Sequence, residues 1–368
     1  MPRHTDILTT DAPETAAIHR GTLLAHPGRP MLPVALILLA ACREAPANTR
    51  TLTLAAYTAP REAYTAILPR FAAEWEARTG QHLRFEDSYQ GSGAQARAVR
   101  DGFEADVVAL SLDPDVRTLE DAGLVTHDWR NGPHGGMVTR SVVAIAVRPG
   151  NPEGIRDWSD LARAGIEVLT PNVRTSGGAM WNVAAVWGAA PEGAGEALLA
   201  GILANVQVMD KGARESLVSF ERGVGDAAIT YESEIRVAQA EGRAMDVVVP
   251  PRTLLIENPL VVVDTWADRH GNRDLADAFV AYCQSPEAQA IFVAHGARAS
   301  GEGRRELGAE GGFVFSATPP PGVVSPNPSG IFTIADLGGW KDLKDEVFQR
   351  GGAYDRALAT ARARGSTP

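Results

Sequence analysis

The sequence predicts an α/β fold built on largely parallel sheets that are flanked by helices. Three observations lead to this prediction. Short apolar runs recur along the chain, amphipathic segments of helical period separate them, and turn residues bound both kinds of segment. The chain has 368 residues, of which 45% are hydrophobic and 22% are charged, a composition typical of globular proteins. Such a length corresponds to about two domains, each large enough for its own core.

The predicted elements of the amino-terminal part begin with a strand at residues 52–57. An amphipathic helix follows, and Pro69 inside it is expected to kink or split that helix. The apolar stripe of the helix consists of Tyr64, Ile67, Leu68, Phe71 and Trp75. The further elements predicted here are a strand at 83–86, a helix from about Ala94, a buried strand at 106–110 and a strand at 141–147.

The rest of the chain repeats the alternation of strands and helices. The predicted strands and apolar runs are 167–170, 206–209, 227–231, 247–249 and 260–263. The predicted helices begin at Gly178 and Arg214 and cover 274–283, with a last helical segment at 337–348. Residues 301–329 are rich in Gly and Pro and are predicted to form a loop.

Residues 31–42 read MLPVALILLAAC, a run of uncharged residues that ends at Cys42. The run is too short to span a membrane as a helix, but it fits the core of a signal peptide. Its last four residues resemble the lipobox of bacterial lipoproteins, which implies cleavage before Cys42 and lipid attachment to that cysteine. The alternative is an ordinary export signal whose cleavage site happens to meet a cysteine.

Residues 1–41 are therefore expected to be a signal peptide, and residues 42–50 a polar tether. The charges of residues 1–41 cancel, although the first region of a signal peptide should be positive. The acidic residues of this segment are Asp6, Asp11 and Glu14, all at its beginning. We therefore expect the true start to lie downstream of Met1.

The net charge is −10, from 35 Lys and Arg against 45 Asp and Glu. This balance argues against a nucleic-acid-binding protein and against a polybasic membrane-surface protein. It also means that no general positive field draws anions to the chain, so an anion site would have to act through short-range dipoles. Two cysteines are too few for a disulfide framework, and Cys283 is expected to be a buried small hydrophobic residue.

Three glycine-containing turns each precede a predicted helix: GSGAQ at 91–95, TSGGA at 175–179 and KGARE at 211–215. A small residue lets a ligand approach the backbone, and the first turn of a helix offers unpaired amide N–H groups. Such helix ends bind anions through these groups and through the positive end of the helix dipole. Ser92 and Ser176 are also predicted N-caps, and capping alone explains a single Ser-Gly pair before a helix.

The sequence contains no recognisable catalytic assembly. It has neither the G-x-S-x-G nucleophile elbow nor the G-x-x-x-x-G-K-[ST] phosphate loop. Its histidines are scattered without metal-ligand spacing. The carboxylate pairs Glu232/Glu234 and Asp113/Asp115 are expected to be solvated or to cap helices. We therefore expect a chain that is not an enzyme and that needs no metal or cofactor.

Ordered segments between about residues 52 and 355 closely resemble periplasmic sulfate-binding proteins, the solute receptors of sulfate and thiosulfate ABC importers. The most specific of them is the Ser-Gly-Gly-Ala-x-Trp-Asn stretch within residues 170–182. The others are 91–95, 102–108, 212–214, 220–226 and 337–340.

The resemblance implies a two-lobed periplasmic-binding-protein fold, in which each lobe is a central, mostly parallel sheet flanked by helices. It implies lobe I at residues 51–145 and 255–330, lobe II at 146–254, and a helical segment at 331–368 that packs on the lobes. The chain would be a periplasmic or cell-surface lipoprotein, expected to be a monomer that binds no nucleic acid. Sulfate would bind in the cleft between the lobes and pass to the permease subunits of an ABC importer.

By position, the resemblance assigns the ligand donors to the amides around Ser92, Ser176, Gly177, Gly178 and Ala213, and to the Ser176 hydroxyl. Neutral donors suffice for a dianion, because many fixed dipoles can replace its water shell without a buried counter-charge.

Two positions depart from the family. Tyr231 stands where the family has a tryptophan whose indole N–H donates to sulfate, and a phenol can donate but also accepts. Alternatively, Tyr231 only packs in the wall of the cleft. Thr58 stands where the family has an aspartate, which removes an acceptor and a negative charge.

These departures leave three hypotheses about the function. The first is a sulfate or thiosulfate receptor, and the second is a receptor for molybdate, tungstate or phosphate. Phosphate at neutral pH carries a proton that needs an acceptor in the cleft, which favours sulfate over phosphate. The third is an esterase-type enzyme, which would need a nucleophile, a base or a metal cluster beside the anion.

Overall fold

The computed structural model of the chain describes residues 48–298 and 330–365. Within these residues ten strands form a mixed sheet. The strands are β1 (Thr49–Tyr57), β2 (His82–Gln90), β3 (Val107–Ala109), β4 (Met137–Val147), β5 (Val168–Leu169), β6 (Val206–Val208), β7 (Ala227–Tyr231), β8 (Asp246–Val248), β9 (Arg252–Val262) and β10 (Gly330–Phe332).

Helices flank this sheet. They are α1 (Arg61–Thr79), α2 (Ser92–Arg100), α3 (Asp113–Asp121), α4 (Gly177–Ala189), α5 (Gly195–Ala204), α6 (Ala213–Glu221), α7 (Glu232–Ala240), α8 (Asp264–Arg269), α9 (Arg273–Cys283), α10 (Pro286–Ala294), α11 (Gly339–Leu343) and α12 (Ala353–Gly365). None of the helices in the described residues is both long and apolar enough to span a membrane.

The strand order is β2-β1-β3-β9-β4-β7-β5-β6, with β10 on β9 and β8 on β4. Strand β1 is parallel to β2 and β3, and we call these three the amino-terminal strand group. Strand β5 is parallel to β6 and β7, and these three form the central strand group. Every antiparallel pair involves β4 or β9, which confirms the predicted α/β fold with a mostly parallel sheet.

The long strands β4 and β9 join the two strand groups. Strand β9 pairs with β4 over residues 255–259 and then with β3 over 260–262. Strand β4 pairs with β9 over 137–142 and then with β7 and β8 over 143–147. Each long strand therefore changes partners along its length.

Alternating side chains bury both faces of the sheet. On β1, Leu54 packs into one apolar cluster with α1 and α9, whereas its neighbour Ala55 packs into another with α2 and α3. On β4, Ile145 and Ala144 likewise belong to different clusters. Successive side chains of a strand point to opposite faces, so each strand group has a core on both sides. Cys283 lies fully buried in one of these cores, as predicted.

Of the two predicted effects of Pro69, a split of α1 is wrong, because the helix is not interrupted there. The helix continues from Arg61 to Thr79, with Pro69 inside it. Apolar side chains on both sides of the proline, from Ile67 to Trp75, are buried on the same face. Their packing outweighs the loss of one backbone hydrogen bond.

Several element boundaries also differ from the predictions. Helix α2 begins at Ser92, two residues before the predicted start, and α4 and α6 each begin one residue early. Strand β1 begins at Thr49, so the last two residues of the predicted tether belong to the sheet. The predicted loop at 301–329, the signal peptide and Cys42 lie outside the described residues.

The carboxy-terminal segment packs against helices that follow the central strand group. The ring of Trp340 meets that of Trp181 on α4 edge to face, with centroids 4.9 Å apart. On α12, Ala357 and Ala361 are buried in the same cluster as Leu199 on α5. Residues 339–365 therefore complete the core on one face of that group.

Candidate anion-binding site

The candidate site lies where the parallel strands of both groups end. In the amino-terminal group, Thr58 follows β1, the turn at 91–92 follows β2, and Ser111 follows β3. In the central group, the turn at 175–178 follows β5 and the turn at 211–213 follows β6. Carboxyl ends of parallel strands are the usual place for a ligand site in an open α/β sheet.

The first component of the site is the amino terminus of α4. Ser176 is its N-cap, as predicted, and its Oγ accepts a hydrogen bond from the amide of Ala179 at 3.3 Å. That bond uses the oxygen as an acceptor, so the hydroxyl hydrogen of Ser176 remains to be donated. The amide N–H groups of Gly177 and Gly178 have no acceptor among the described residues.

The second component is the amino terminus of α6. Its N-cap is Gly212, which provides no side-chain cap, and the amide of Ala213 has no acceptor in the part of the chain that the structure describes. A methyl group at Gly178 would lie 3.0 Å from Cβ of Ala213. The two helix ends therefore converge, and a side chain at position 178 would push them apart by a few tenths of an ångström.

The third component is the amino terminus of α2, where Ser92 does not have its predicted role. The N-cap of α2 is Gly91, and Ser92 is the first helical residue. The hydroxyl of Ser92 instead donates to Oδ2 of Asp115 at 2.5 Å and accepts from the amide of Ser111 at 2.8 Å. Burial raises the pKa of Asp115 to about 6.

The two strand groups meet at these helix ends. A methyl group at Gly91 would lie 3.2 Å from the carbonyl oxygen of Thr175, and one at Gly177 would lie 3.0 Å from Oγ of Ser111. The turn before α2 and the residue after β3 are therefore packed directly against the turn before α4. The structure thus brings together Ser92, Ser176, Gly177, Gly178 and Ala213.

Ser111 lies at the centre of this contact, although no sequence motif singled it out. Its Oγ is 2.7 Å from the hydroxyl of Tyr231. Its carbonyl oxygen accepts from the indole Nε1 of Trp181 and from Nδ2 of Asn258, both at 3.0 Å. One sequence signal could have pointed to Ser111, because it is a polar residue directly after a buried strand.

Tyr231 closes the other side of the candidate site. It is 2% exposed, and Cε1 of its ring would lie 3.5 Å from a methyl group at Gly178. Burial raises the pKa of Tyr231 well above its ordinary value, so the phenol keeps its hydrogen at every physiological pH. The ring therefore packs against the amino terminus of α4 with a protonated hydroxyl.

Thr58 is less closely integrated than the other predicted site residues. It follows β1 at the same edge of the sheet, and its carbonyl oxygen accepts from the amide of Arg61 at 3.3 Å. Among the described residues no hydrogen bond joins its side chain to Ser92, Ser176 or Tyr231. The structure gives no direct contact for the predicted role of Thr58.

The arginine next to Ala213 is already paired with carboxylates. Nε of Arg214 is 2.9 Å from Oε2 of Glu234, and its NH2 is 2.9 Å from Oε2 of Glu62 on α1. Burial raises the pKa of Glu234 to about 7 despite this partner. The positive charge of Arg214 is therefore compensated without any ligand.

The expectation that Glu232 and Glu234 are solvated is wrong. Both lie in the first turn of α7 and are at most 3% exposed. Glu232 forms ion pairs with Arg236 at 2.5 Å and with Arg298 at 2.7 Å. Within residues 48–298 and 330–365 no group of histidine, cysteine and acidic side chains could hold a metal ion.

Comparison with known proteins places this chain in a family. Residues 52–298 match the family model described as bacterial extracellular solute-binding protein. A sulfate-binding protein of Synechococcus elongatus is 41% identical over 321 residues, which cover 85% of this chain and 88% of the relative. A thiosulfate-binding protein of Escherichia coli is 33% identical over 295 residues, which cover 77% of this chain and 83% of the relative.

A solved structure agrees with these sequence matches. The sulfate-binding protein SubI from Mycobacterium tuberculosis superposes with a TM-score of 0.70 at 35% identity, covering 81% of this chain and 99% of SubI. The predicted periplasmic-binding-protein fold is thereby confirmed, in a family of receptors and not of enzymes. The chain belongs to the sulfate-binding protein family of bacterial extracellular solute-binding proteins.

Proposed function

We propose that this chain binds sulfate or thiosulfate outside the cytoplasm and delivers it to the permease of an ABC importer. One observation carries the proposal: the amides of Gly177, Gly178 and Ala213, which have no acceptor among the described residues, converge beside the hydroxyl of Ser176. Relatives named for sulfate and for thiosulfate, at 41% and 33% identity, support the same ligand class.

The donors in this proposal are neutral. Helix amino termini provide amide N–H groups and a partial positive charge, which together stabilise an anion. The guanidinium of Arg214 is held by Glu62 and Glu234, so it is not free to pair with the ligand. We therefore expect sulfate binding to survive the loss of any single lysine or arginine.

We further propose a hinge between two lobes, with lobe I at 51–145 and 255–330, lobe II at 146–254, and residues 331–368 packed on them. The change of partners along β4 and β9 supports this division, because both strands cross from one strand group to the other. Bending these strands would open and close the site around the ligand. The closed form is the one that the permease would recognise.

Membrane attachment through Cys42 is part of the proposal. It is supported by the sequence of residues 39–42, and Cys42 precedes the start of β1 at Thr49 by only seven positions. In a bacterial host fed with labelled palmitate, the wild type should incorporate label and Cys42→Ala should not. Equal labelling of the two proteins would contradict the anchor without affecting the ligand proposal.

Calorimetric titration of the purified, dialysed protein with sulfate tests the ligand proposal. We expect saturable heat and a rise in melting temperature, and no response at millimolar sulfate would overturn the proposal. Competition by thiosulfate, molybdate, tungstate and phosphate, read through tryptophan fluorescence, ranks the oxyanions. We expect phosphate to compete poorly, because its protonated oxygen needs an acceptor and the site offers it hydrogen-bond donors.

A further inference from the structure

The hydroxyls of Ser111 and Tyr231 form a hydrogen bond across the contact between the two strand groups. Ser111 follows β3, Tyr231 ends β7, and their oxygens are 2.7 Å apart. The two residues are 1% and 2% exposed. The bond is therefore shielded from water and exists only while the two groups are in contact.

A count of hydrogens shows what this pair can offer a ligand. Each hydroxyl has one hydrogen, and the bond between them uses one of the two. Among the described residues, the side chain of Asn258 also lies against the Tyr231 hydroxyl as a hydrogen-bond donor, and no acceptor outside the pair is bonded to either hydroxyl. One buried O–H hydrogen therefore remains, beside the amino terminus of α4.

The neighbours of the pair decide which hydroxyl keeps this hydrogen. Nε1 of Trp181 is a donor only and lies 3.2 Å from Oγ of Ser111, so it occupies a lone pair of that oxygen. A phenol is more acidic than an aliphatic alcohol and is the stronger donor to an anion. The favoured arrangement is thus a chain in which Trp181 donates to Ser111, Ser111 donates to Tyr231, and Tyr231 donates onward.

We propose that Ser111 is a positioning residue that makes Tyr231 a hydrogen-bond donor to the bound oxyanion. This inference rests on the function proposed above. A phenol on its own can accept as well as donate, and Ser111 reduces that ambiguity by occupying an acceptor position of the oxygen, beside the donor side chain of Asn258. The ligand oxygen facing Tyr231 must then carry no hydrogen of its own.

The position of the pair relative to the amides of Gly177 and Gly178 supports this role. A methyl group added to Gly177 would lie 3.0 Å from Oγ of Ser111, and one added to Gly178 would lie 3.5 Å from Cε1 of Tyr231. An oxyanion bound to the amides of these two glycines would therefore have both hydroxyls close by. Donors arranged in a chain also polarise one another, which strengthens the last bond to the anion.

The test is a double-mutant cycle on the full protein with sulfate as the probe, using Ser111→Ala, Tyr231→Phe and the double variant. A hydrogen bond to a charged group implies that Tyr231→Phe weakens sulfate binding roughly 10- to 100-fold. Ser111→Ala should weaken it roughly 3- to 10-fold in the wild-type background. In the Tyr231→Phe background Ser111→Ala should have no further effect, because there is no phenol to orient.

Matched controls separate this role from a general loss of packing. Tyr64→Phe removes a buried hydroxyl that has no partner among the described residues, and Ser285→Ala removes a serine that caps α10. Neither control should change the affinity for sulfate. A merely structural Ser111 would instead lower affinity by the same factor in both backgrounds, which would overturn the inference.

The remaining outcomes are also decisive. A wild type that binds neither sulfate nor thiosulfate overturns the proposed function and this inference with it. If the wild type binds sulfate and Tyr231→Phe binds it with the same affinity, only the inference is overturned. Should Ser111→Ala fail to fold, as judged by its melting curve, the comparison of Tyr231→Phe with wild type still decides whether the phenol donates.

Discussion

The hydroxyl of Ser92 donates a hydrogen bond of 2.5 Å to Oδ2 of Asp115, which fixes what Ser92 can offer a ligand. The same oxygen accepts from the amide of Ser111 at 2.8 Å, so the side chain of Ser92 is engaged on both sides. Only its backbone remains for an anion. Ser92 and Ser176 look alike in the sequence, yet the structure gives their hydroxyls different roles.

Ser92→Ala should therefore affect stability more than binding. Asp115 would lose its hydroxyl partner, which should lower the free energy of unfolding by about 1–3 kcal/mol. Sulfate affinity should stay within about threefold of the wild-type value. Losing one hydrogen bond to a charged ligand would reduce the affinity by a larger factor. Urea unfolding and calorimetry measure the two effects, and a large loss of affinity with unchanged stability would contradict this assignment.

Ser176→Ala should have the opposite balance. Removing a hydroxyl that donates to a dianion should weaken binding roughly 10- to 100-fold. Loss of the α4 cap should cost about 1 kcal/mol of stability. Ser176→Thr, which keeps the hydroxyl, is the matched control and should bind within the range of wild type. Equal affinities of Ser92→Ala and Ser176→Ala would show that neither hydroxyl donates to the ligand.

Gly178→Ala should weaken binding by preventing the close approach of two helix ends. The added methyl group would lie 3.0 Å from Cβ of Ala213 and 3.3 Å from Oγ of Ser176, both closer than ordinary contact. Separation of the α4 and α6 amides by a few tenths of an ångström should reduce sulfate affinity at least about tenfold. Adding Ala213→Gly removes the first of these contacts and should restore part of the affinity. If Ala213→Gly does not restore affinity to Gly178→Ala, the contact with Ala213 is not the cause of the loss.

Arg214→Gln should leave a protein that still binds sulfate. The donors are neutral, so we expect less than about a tenfold loss of affinity, from the lost link between Glu62 and Glu234. The free energy of unfolding should fall by about 1–3 kcal/mol. Breaking a fully buried ion pair costs ~3–5 kcal/mol, and the loss here should be smaller because Glu234 can take up a proton. Arg243→Gln removes a more exposed arginine and should change neither quantity. A folded Arg214→Gln variant without sulfate binding would show that its charge holds the anion.

Glu234→Gln should change how stability depends on pH. Burial raises the pKa of Glu234 from 4.5 to about 7, so the folded protein binds this proton more tightly than the unfolded chain does. Its contribution is fully present below about pH 4.5 and is lost as the pH rises to about 7. The slope for one proton is at most about 1.4 kcal/mol per pH unit.

The measurement is urea unfolding of wild type and Glu234→Gln between pH 4 and pH 8. The wild type should lose stability relative to the variant across this window. Asp115, whose pKa is also raised, is present in both proteins and cancels in the difference. Parallel curves would mean that Glu234 titrates normally in the folded protein.

The fold and the main-chain part of the site follow from local sequence patterns. Apolar runs at strand period predicted most of the sheet, and the turns at 91–95, 175–179 and 211–215 marked helix starts to within two residues. Free amides at a helix start are a consequence of helix geometry, whatever follows along the chain. The turns alone mark such amides, and the resemblance to sulfate-binding proteins assigned Gly177, Gly178 and Ala213 among them as ligand donors.

The side-chain part of the site depends on contacts that are distant in sequence. Ser111 and Tyr231 are 120 positions apart, and Ser111 and Asn258 are 147 positions apart, so no local pattern reveals either contact. The predicted cap at Ser92 failed for a related reason. Its hydroxyl has a stronger acceptor in Asp115, which lies on the next helix.

A crystal structure of the protein with sulfate tests the central claim most directly. We predict sulfate oxygens within about 3.2 Å of the amide nitrogens of Gly177, Gly178 and Ala213, which is hydrogen-bonding distance. Oγ of Ser176 and the hydroxyl of Tyr231 should complete the donor set, and no lysine or arginine nitrogen should contact the anion. Sulfate bound elsewhere, or held by a guanidinium such as that of Arg214, would contradict the account.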